Sequence, residues 1–194
     1  MLRIEGRAYG VIANNSAHLG GAIDGDAALK AARFMGQCGA LGLPIISLCD
    51  TPGFLVGPEA EKTGLVRKVC QMFLAAAKLQ VPVFGVVLRK GYGLGAMAMV
   101  GGGFHENAFT IAWPTGEFGA MGLEGAVRLG FRKELEAVSD PNEQKALFET
   151  LLSKMYATGK ASSIAAGFEI DAVIDPVETR RWISSSVRGF CAPR

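Results

Sequence analysis

Three alternating glycines, Gly91, Gly93 and Gly95, lie between a segment with strand character and a segment with helix character. Residues 81–88 are uncharged and rich in β-branched and aromatic types, as in a strand buried on both faces. Residues 96–100 favour a helix. A glycine turn between them leaves amide N–H groups free at the helix start, where they can stabilise an oxygen that gains negative charge. Close packing of the helix against the strand explains the same glycines equally well.

Side-chain chemistry has weaker support in the sequence. A G-x-S-x-G motif is absent, His18 lies in a predicted loop, and His105 follows a glycine cluster. Glu117 and Glu124 flank the loop after a predicted strand end and could form an acid–base pair, although a solvated surface and a helix N-terminus also account for them. The glycine spacing departs from G-x-G-x-x-G, so a dinucleotide site has little support. Stabilisation of charge by backbone amides is the chemistry that remains.

Hydrophobic periodicity predicts alternating strands and helices. Strands are predicted at residues 7–14, 43–49, 81–88, 108–113 and, as a short strand, within 165–176; helices are predicted at 27–41, 61–79, 96–100, 123–129, 142–157 and 177–187. Asp26 is the predicted N-cap of the first helix and Gly42 its stop signal. Successive strand–helix–strand units predict an α/β fold with a mostly parallel sheet surrounded by helices. Residues 1–194 are predicted to form a single domain, and the DTPGF turn at 50–54 follows a strand end, where functional loops are usual.

The composition excludes several classes of function. The net charge is +2, from 20 basic and 18 acidic residues, so we expect no nucleic-acid partner. The apolar runs are shorter than the roughly 20 residues that cross a bilayer, so we expect no membrane association and a cytoplasmic protein, or a mitochondrial matrix protein in a eukaryote. The 4 cysteines lack C-x-x-C spacing, which favours buried free thiols and no metal site. A hydrophobic content of 49% favours an additional buried interface, as in a homo-oligomer.

Several segments, found in one order along the chain, resemble the C-terminal carboxyltransferase domain of biotin-dependent acyl-CoA carboxylases, the β-subunit type of the crotonase-like superfamily. The resemblance covers essentially the whole chain. The segments that carry it are GAID at 21–24, KAARF at 30–34, DTPGFLVG at 50–57, RKGYG at 89–93, AWPT at 112–115, MGLEGA at 121–126 and IDPVETR at 174–180. Any one of these segments alone would be a weak signal.

The resemblance implies a crotonase-like (ClpP/crotonase) fold of repeated β-β-α units and a transfer of CO2 between carboxybiotin and an acyl-CoA. In this family the C-terminal domain holds the biotin, and an N-terminal domain of the same fold in a neighbouring subunit makes most CoA contacts. The implied partners are that N-terminal carboxyltransferase half, a biotin carboxyl carrier and a biotin carboxylase, so the chain alone is expected to be inactive. A biotin-dependent acyl-CoA decarboxylase of the same family and a scaffold domain that has lost the chemistry are the alternatives.

The resemblance also implies how the biotin side of the site is built. The backbone amides of Leu94 and Gly95 would form the oxyanion hole for the ureido oxygen of biotin, at a position where the family typically has Gly-Ala. Phe54 and Val56, in the Pro-Gly loop, would line the approach of biotin.

The same comparison suggests further residues around this turn. Tyr92, Gly93 and Ala96 are expected to contact biotin. Met97 stands where many family members carry an Asp that is associated with the choice of acyl chain. A flexible apolar side chain at this position implies a bulkier or more apolar acyl group.

Overall fold

The computed structural model describes the backbone of residues 1–190 and the side chains of residues 1–187. The strands are β1 (Leu2–Ile4), β2 (Arg7–Ala13), β3 (Ile45–Thr51), β4 (Val83–Tyr92), β5 (Phe109–Ala112), β6 (Glu117–Gly119) and β7 (Ala172–Val173). The α-helices are α1 (Gly25–Ala40), α2 (Pro58–Lys62), α3 (Leu65–Ala76), α4 (Gly93–Met99), α5 (Leu123–Gly130), α6 (Arg132–Ala137), α7 (Pro141–Gly159), α8 (Ala161–Ala166) and α9 (Thr179–Phe190). Short 3-10 turns lie at Leu19–Gly21 and Pro176–Glu178.

The described strands form one sheet that is parallel except at one edge. The hydrogen-bonded order is β1-β2-β3-β4-β5-β7, and β6 pairs separately with the end of β4. β1 runs antiparallel to β2, while the other pairings are parallel. The predicted α/β class and mostly parallel sheet are therefore confirmed. β1 was not predicted, because it is only 3 residues long and is followed at once by a tight turn in which Glu5 and Gly6 have φ of 49° and 80°.

Helices cover both faces of the sheet. On one face α1 and α3 pack together over the strands, and their residues Met35 and Met72 are fully buried there. On the other face Phe84 of β4 packs in a cluster with Ile183 and Val187 of α9. Burial of apolar surface in these two layers holds the strands in place. The carboxyl ends of the central strands are thereby positioned to support a site.

Three helices differ from the predictions for local reasons. The helix predicted at 61–79 is two helices, α2 and α3, because Gly64 adopts a left-handed conformation with φ of 71° between them. Asp24, not Asp26, is the N-cap of α1, and its carboxylate accepts the Ala27 N–H at 2.7 Å. α6 was not predicted, because it buries no residue and so has no apolar stripe.

The central strand β4 is longer than predicted. It continues past residue 88 to Tyr92, because its last three residues pair with β6. The turn is therefore confined to Gly93, whose φ is 60°, rather than spread over three glycines. α4 begins at once, so the start of this helix lies directly at the strand end.

The thiol predictions are confirmed in part. Cys38 and Cys49 are buried free thiols, whereas Cys70 is exposed on α3, so the prediction of burial is wrong for Cys70. Cys191 lies outside the described residues. No helix in the described part of the chain is long and apolar enough to cross a membrane.

Candidate active site

The loop after β3 is held firmly beside the start of α4. The Thr51 hydroxyl accepts the Gly53 N–H at 3.1 Å. The Gly53 carbonyl accepts the Ile23 N–H at 3.0 Å, and the Ile23 carbonyl accepts the Leu55 N–H at 2.8 Å. Gly95 packs on this loop so closely that a Cβ built on it would lie 2.7 Å from Gly53 Cα. Because only glycine permits this approach, the loop and the helix position each other.

Strand β6 braces the other side of the same junction. It pairs in parallel with residues 90–92, the end of β4. A Cβ built on Gly93 would lie 2.7 Å from the carbonyl oxygen of Ala120, which directly follows β6. Gly93 therefore meets two requirements, a left-handed turn and a close backbone contact. The junction of β4 and α4 is therefore held by backbone contacts on two sides, from the loop after β3 and from β6 with Ala120.

A cavity of about 640 Å³ opens between these segments. Small-molecule sites usually have volumes of roughly 300–1,000 Å³. Residues within 52–56, 90–94 and 117–125 line it, together with Tyr156 of α7. The side chains of Val56 and Leu94 are 81% and 62% exposed, so they stand at its open side. The cavity can thus admit a ligand between the Pro-Gly loop and the start of α4.

Two carboxylates and two phenols form the polar wall of the cavity. The Tyr92 hydroxyl donates a hydrogen bond of 2.8 Å to Glu117 Oε2. Burial, assisted by this hydrogen bond, raises the pKa of Tyr92, so the phenol stays protonated at physiological pH. Burial raises the pKa of Tyr156 as well, and the charges of Glu117 and Glu124 add to that shift. This side of the cavity is therefore rich in hydrogen-bonding oxygens.

A charged network ties together the strand ends that support the cavity. Asp50 accepts the Ser16 hydroxyl at 2.5 Å and the Lys90 N–H at 3.1 Å. It also pairs with Arg89 at 3.2 Å. Burial of Asp50 opposes its ionisation, but these hydrogen bonds outweigh burial and lower the pKa of its carboxyl group. The Lys90 ammonium donates to the Gly20 carbonyl, which joins the loop after β2 to β4.

The structure brings five of the predicted site residues together. Phe54, Val56, Tyr92, Gly93 and Leu94 all line the cavity. Phe54 also packs edge-on against Phe73 of α3, with 6.3 Å between the ring centres. This contact anchors the Pro-Gly loop to the helical layer.

Three other predicted residues lie outside the cavity lining. Gly95 and Ala96 are buried in α4, behind the lining residues. Met97 is half-buried and its side chain extends toward Gly103, so it does not line the cavity either. The roles predicted for these residues stay predictions.

The carboxylate pair considered from the sequence does lie in the site. Glu117 and Glu124 both line the cavity, whereas His18 and His105 do not. Tyr156 was missed, because no local pattern marks it and only the packing of α7 beside β6 places it here.

Comparison with known proteins identifies the family. Over residues 2–188 the chain matches the carboxyl transferase domain family. It is 37% identical over 192 residues to the methylmalonyl-CoA carboxyltransferase 12S subunit of Propionibacterium freudenreichii subsp. shermanii, covering 99% of this chain and 36% of that protein. It is 38% identical over 189 residues to the biotin-dependent long chain acyl-coenzyme A carboxylase beta4 subunit of Mycobacterium tuberculosis strain H37Rv, covering 95% of this chain and 35% of that protein. The chain thus spans about a third of the length of these relatives.

Solved structures give the same result. A single-chain, multi-domain long-chain acyl-CoA carboxylase is 54% identical with a TM-score of 0.85, and the match covers 95% of this chain and 18% of that one. The transcarboxylase 12S hexamer, crystallised with methylmalonyl-CoA and methylmalonic acid, is 35% identical with a TM-score of 0.87, over 99% of this chain and 36% of that one. These neighbours confirm the predicted crotonase-like fold. The chain belongs to the carboxyl transferase domain family.

Proposed function

We propose that this chain is the biotin-side domain of a carboxyltransferase that moves CO2 between carboxybiotin and an acyl-CoA. The observation that carries the proposal is the cavity at the junction of β4 and α4, where Gly93 and Gly95 of α4 make close backbone contacts with Ala120 and with Gly53 of the Pro-Gly loop. Family membership supports the chemistry. Because the relatives are about three times longer, we infer that residues 1–194 form one domain of a larger two-half protein.

The residues present fit a biotin ring. Phe54, Leu94 and Leu123 offer apolar contacts to a bicyclic ring, and the start of α4 offers N–H donors to a polar ureido oxygen. When bound, biotin supplies or accepts the carboxyl group, and negative charge develops on its ureido oxygen as the carboxyl group leaves. The amides of Leu94 and Gly95 are the donors that we assign to this oxygen. They need no side chain, which agrees with the lack of a conventional catalytic motif.

The bulk of Leu94 does not argue for a lapsed scaffold. Its side chain is 62% exposed, and the cavity that it lines retains about 640 Å³. A residue at the rim adds apolar surface for a ligand without filling its site. This supports an active domain over the scaffold alternative. The names of two relatives, both called carboxylases, favour carboxylation over decarboxylation.

The acyl-CoA that we infer is a long-chain one. The neighbour with 54% identity acts on long-chain acyl-CoA. Leu94 and the partly exposed Met121 place apolar surface at the cavity, as a long acyl chain requires. Met97 stays the proposed determinant of acyl choice, although it would act from outside this cavity.

The remaining partners follow from the family. We propose an N-terminal carboxyltransferase half for the CoA thioester, a biotin carboxyl carrier, a biotin carboxylase and a homo-oligomeric assembly, since one relative forms a hexamer. The cytoplasmic location stays a prediction.

Titration of the 15N-labelled chain with biocytin, a soluble biotinyl-lysine, tests the placement. We expect dose-dependent NMR shifts at the amides of residues 93–96 and at Phe54. Desthiobiotin, which keeps the ureido group, is expected to shift the same amides, and lysine alone is expected to shift none. Shifts confined to another part of the chain would reject the site.

A further inference from the structure

Glu117 is oriented inside the cavity by a hydrogen bond to one of its two carboxylate oxygens. The donor to Oε2 is the Tyr92 hydroxyl, at 2.8 Å. Tyr92 is only 4% exposed, so packing fixes the donor itself. In the pairing of β4 with β6, Glu117 lies opposite Lys90. Because Lys90 and Tyr92 are two positions apart on β4, the side chains of Glu117 and Tyr92 lie on the same face of the sheet. The carboxylate therefore has a defined orientation before any ligand binds.

The second oxygen of this carboxylate, Oε1, has capacity for a ligand. No side chain or backbone group in the described part of the protein donates a hydrogen bond to it. Lys90, which lines the same cavity, donates to the Gly20 carbonyl instead, and Arg89 pairs with Asp50. Glu117 itself is half-buried. A partly desolvated carboxylate oxygen of this kind is a strong acceptor for an N–H group.

We propose that Glu117 is a ligand-orienting residue of the biotin site, and that its Oε1 accepts the ureido N–H of the nitrogen that does not carry the carboxyl group. The inference rests on the proposed function. A ureido group presents an oxygen that needs donors and N–H groups that need acceptors. The start of α4 supplies the donors, and Glu117 supplies an acceptor in the same cavity. The Tyr92 hydroxyl holds the carboxylate, so we assign Tyr92 a positioning role in addition to the biotin contact expected from the sequence.

A ureido group that both accepts and donates a hydrogen bond is held in one orientation, which a single hydrogen bond does not achieve. An oxygen held by backbone amides alone leaves the ring free to rotate about the C=O axis. A second hydrogen bond from the ring N–H removes that freedom and presents one ring face to the substrate. The proposed role of Glu117 is therefore orientation of the bound ring.

The test compares two probes on the 194-residue chain. Biotin methyl ester has the ureido N–H, whereas its N3′-methyl derivative has a methyl group in place of that hydrogen. We expect the wild type to bind the first about ten- to hundredfold more tightly, as expected for one hydrogen bond to a charged group. Dissociation constants come from NMR titration of the same amides in both cases.

Three variants separate orientation from packing. Glu117→Gln keeps an oxygen for the Tyr92 hydroxyl but presents an NH2 donor to the ligand, so the preference is expected to fall below about twofold. Tyr92→Phe keeps the carboxylate without its anchor and is expected to give an intermediate preference. Glu143→Gln, on the exposed first turn of α7, removes the same charge elsewhere and is expected to keep the wild-type preference. Should Glu117→Gln fail to fold, Glu117→Asp, a shortened carboxylate, is expected to lower the preference in the same direction.

The outcomes are distinct. An unchanged preference in Glu117→Gln overturns the role of Glu117 and leaves the biotin site in place. A loss in Tyr92→Phe without a loss in Glu117→Gln also overturns it, because packing then explains the effect. If the wild type binds neither probe, the proposed function fails and this inference falls with it.

Discussion

Gly95 of α4 and Gly53 of the loop after β3 are in direct backbone contact, since a Cβ built on Gly95 would lie 2.7 Å from both the Cα and the carbonyl carbon of Gly53. The same Cβ would lie 2.8 Å from Phe54 N. The start of α4 therefore rests on the main chain of the loop, with no side chain between them. A change at either glycine is expected to move the cavity wall.

Replacing Gly95 with alanine is expected to destabilise the chain and to disturb the cavity. The added methyl group meets backbone atoms that cannot rotate away, and overpacking of this kind costs about 1–3 kcal/mol. The free energy of unfolding, from urea denaturation, measures the loss. Gly36→Ala is the matched control, because that helical glycine has no atom within 4 Å of its Cβ position. It is expected to stabilise by about 0.5–1 kcal/mol. Equal stabilities of the two variants would contradict the contact.

Asp50 is expected to make stability depend on pH. Because the pKa of Asp50 is lowered in the folded state, its carboxylate stabilises the native state at pH values above the ordinary aspartate pKa of about 3.9. This contribution is lost as the pH falls through the folded-state pKa. Asp50→Asn should lower the free energy of unfolding at pH 7 by about 1–3 kcal/mol, and the difference from wild type should shrink below about pH 4. Glu149→Gln, which removes a carboxylate that is 65% exposed, should have a small effect at either pH. A constant difference from pH 7 to pH 3 would show that ionisation of Asp50 is not the cause.

Removal of the N-cap of α1 distinguishes Asp24 from Asp26. Asp24 accepts the Ala27 N–H at 2.7 Å, so Asp24→Ala is expected to cost about 1 kcal/mol in thermal or urea unfolding. The Asp26 side chain is 90% exposed and pairs loosely with Lys68 at 3.4 Å. Asp26→Ala is therefore expected to change stability by less than about 0.5 kcal/mol. A larger loss of stability in Asp26→Ala than in Asp24→Ala would show that Asp26 is the N-cap.

The described thiols are expected to react in a fixed order. Cys70 is exposed, whereas burial raises the pKa of Cys49 to about 12 and also raises the pKa of Cys38. Thiolate is the reactive form, so iodoacetamide at pH 8 should label the Cys70 peptide of the native protein first. The Cys38 and Cys49 peptides should become labelled only in denaturant, as peptide mass spectrometry would show. Early labelling of Cys49 would contradict its burial.

Local sequence signals predicted the framework well, because periodicity and turn residues report on short segments. Such signals predicted α1, the buried face of α3 and the parallel strands other than β6. β6 lies in a segment that the sequence predicts as a loop, because the strand is only 3 residues long and lies among glycines. The end of β4 was not predicted, because residues 90–92 resemble a turn in the sequence and form a strand only by pairing with β6, more than twenty positions later. The pairing is non-local and leaves no signal in β4 itself.

The same limit applies to the site. The Pro-Gly loop and the glycine-rich turn were recognisable as neighbours at strand ends, and both line the cavity. The hydrogen bond between Tyr92 and Glu117, and the arrival of Tyr156 from α7, depend on tertiary packing that no motif encodes. Glu117 was noticed as half of a carboxylate pair, but its partner in the structure is a phenol.

We propose that a backbone amide at the start of α4, and not a side chain, binds the ureido oxygen of biotin. Leu94→Pro removes that N–H, and proline is tolerated in the first turn of a helix, where residue 94 lies. Leu94→Ala removes the side chain and keeps the N–H. With folding verified by thermal unfolding, biocytin affinity measured by NMR titration is expected to fall about three- to tenfold in Leu94→Pro relative to Leu94→Ala. Equal affinities in the two variants would show that the residue 94 amide does not bind the ureido oxygen.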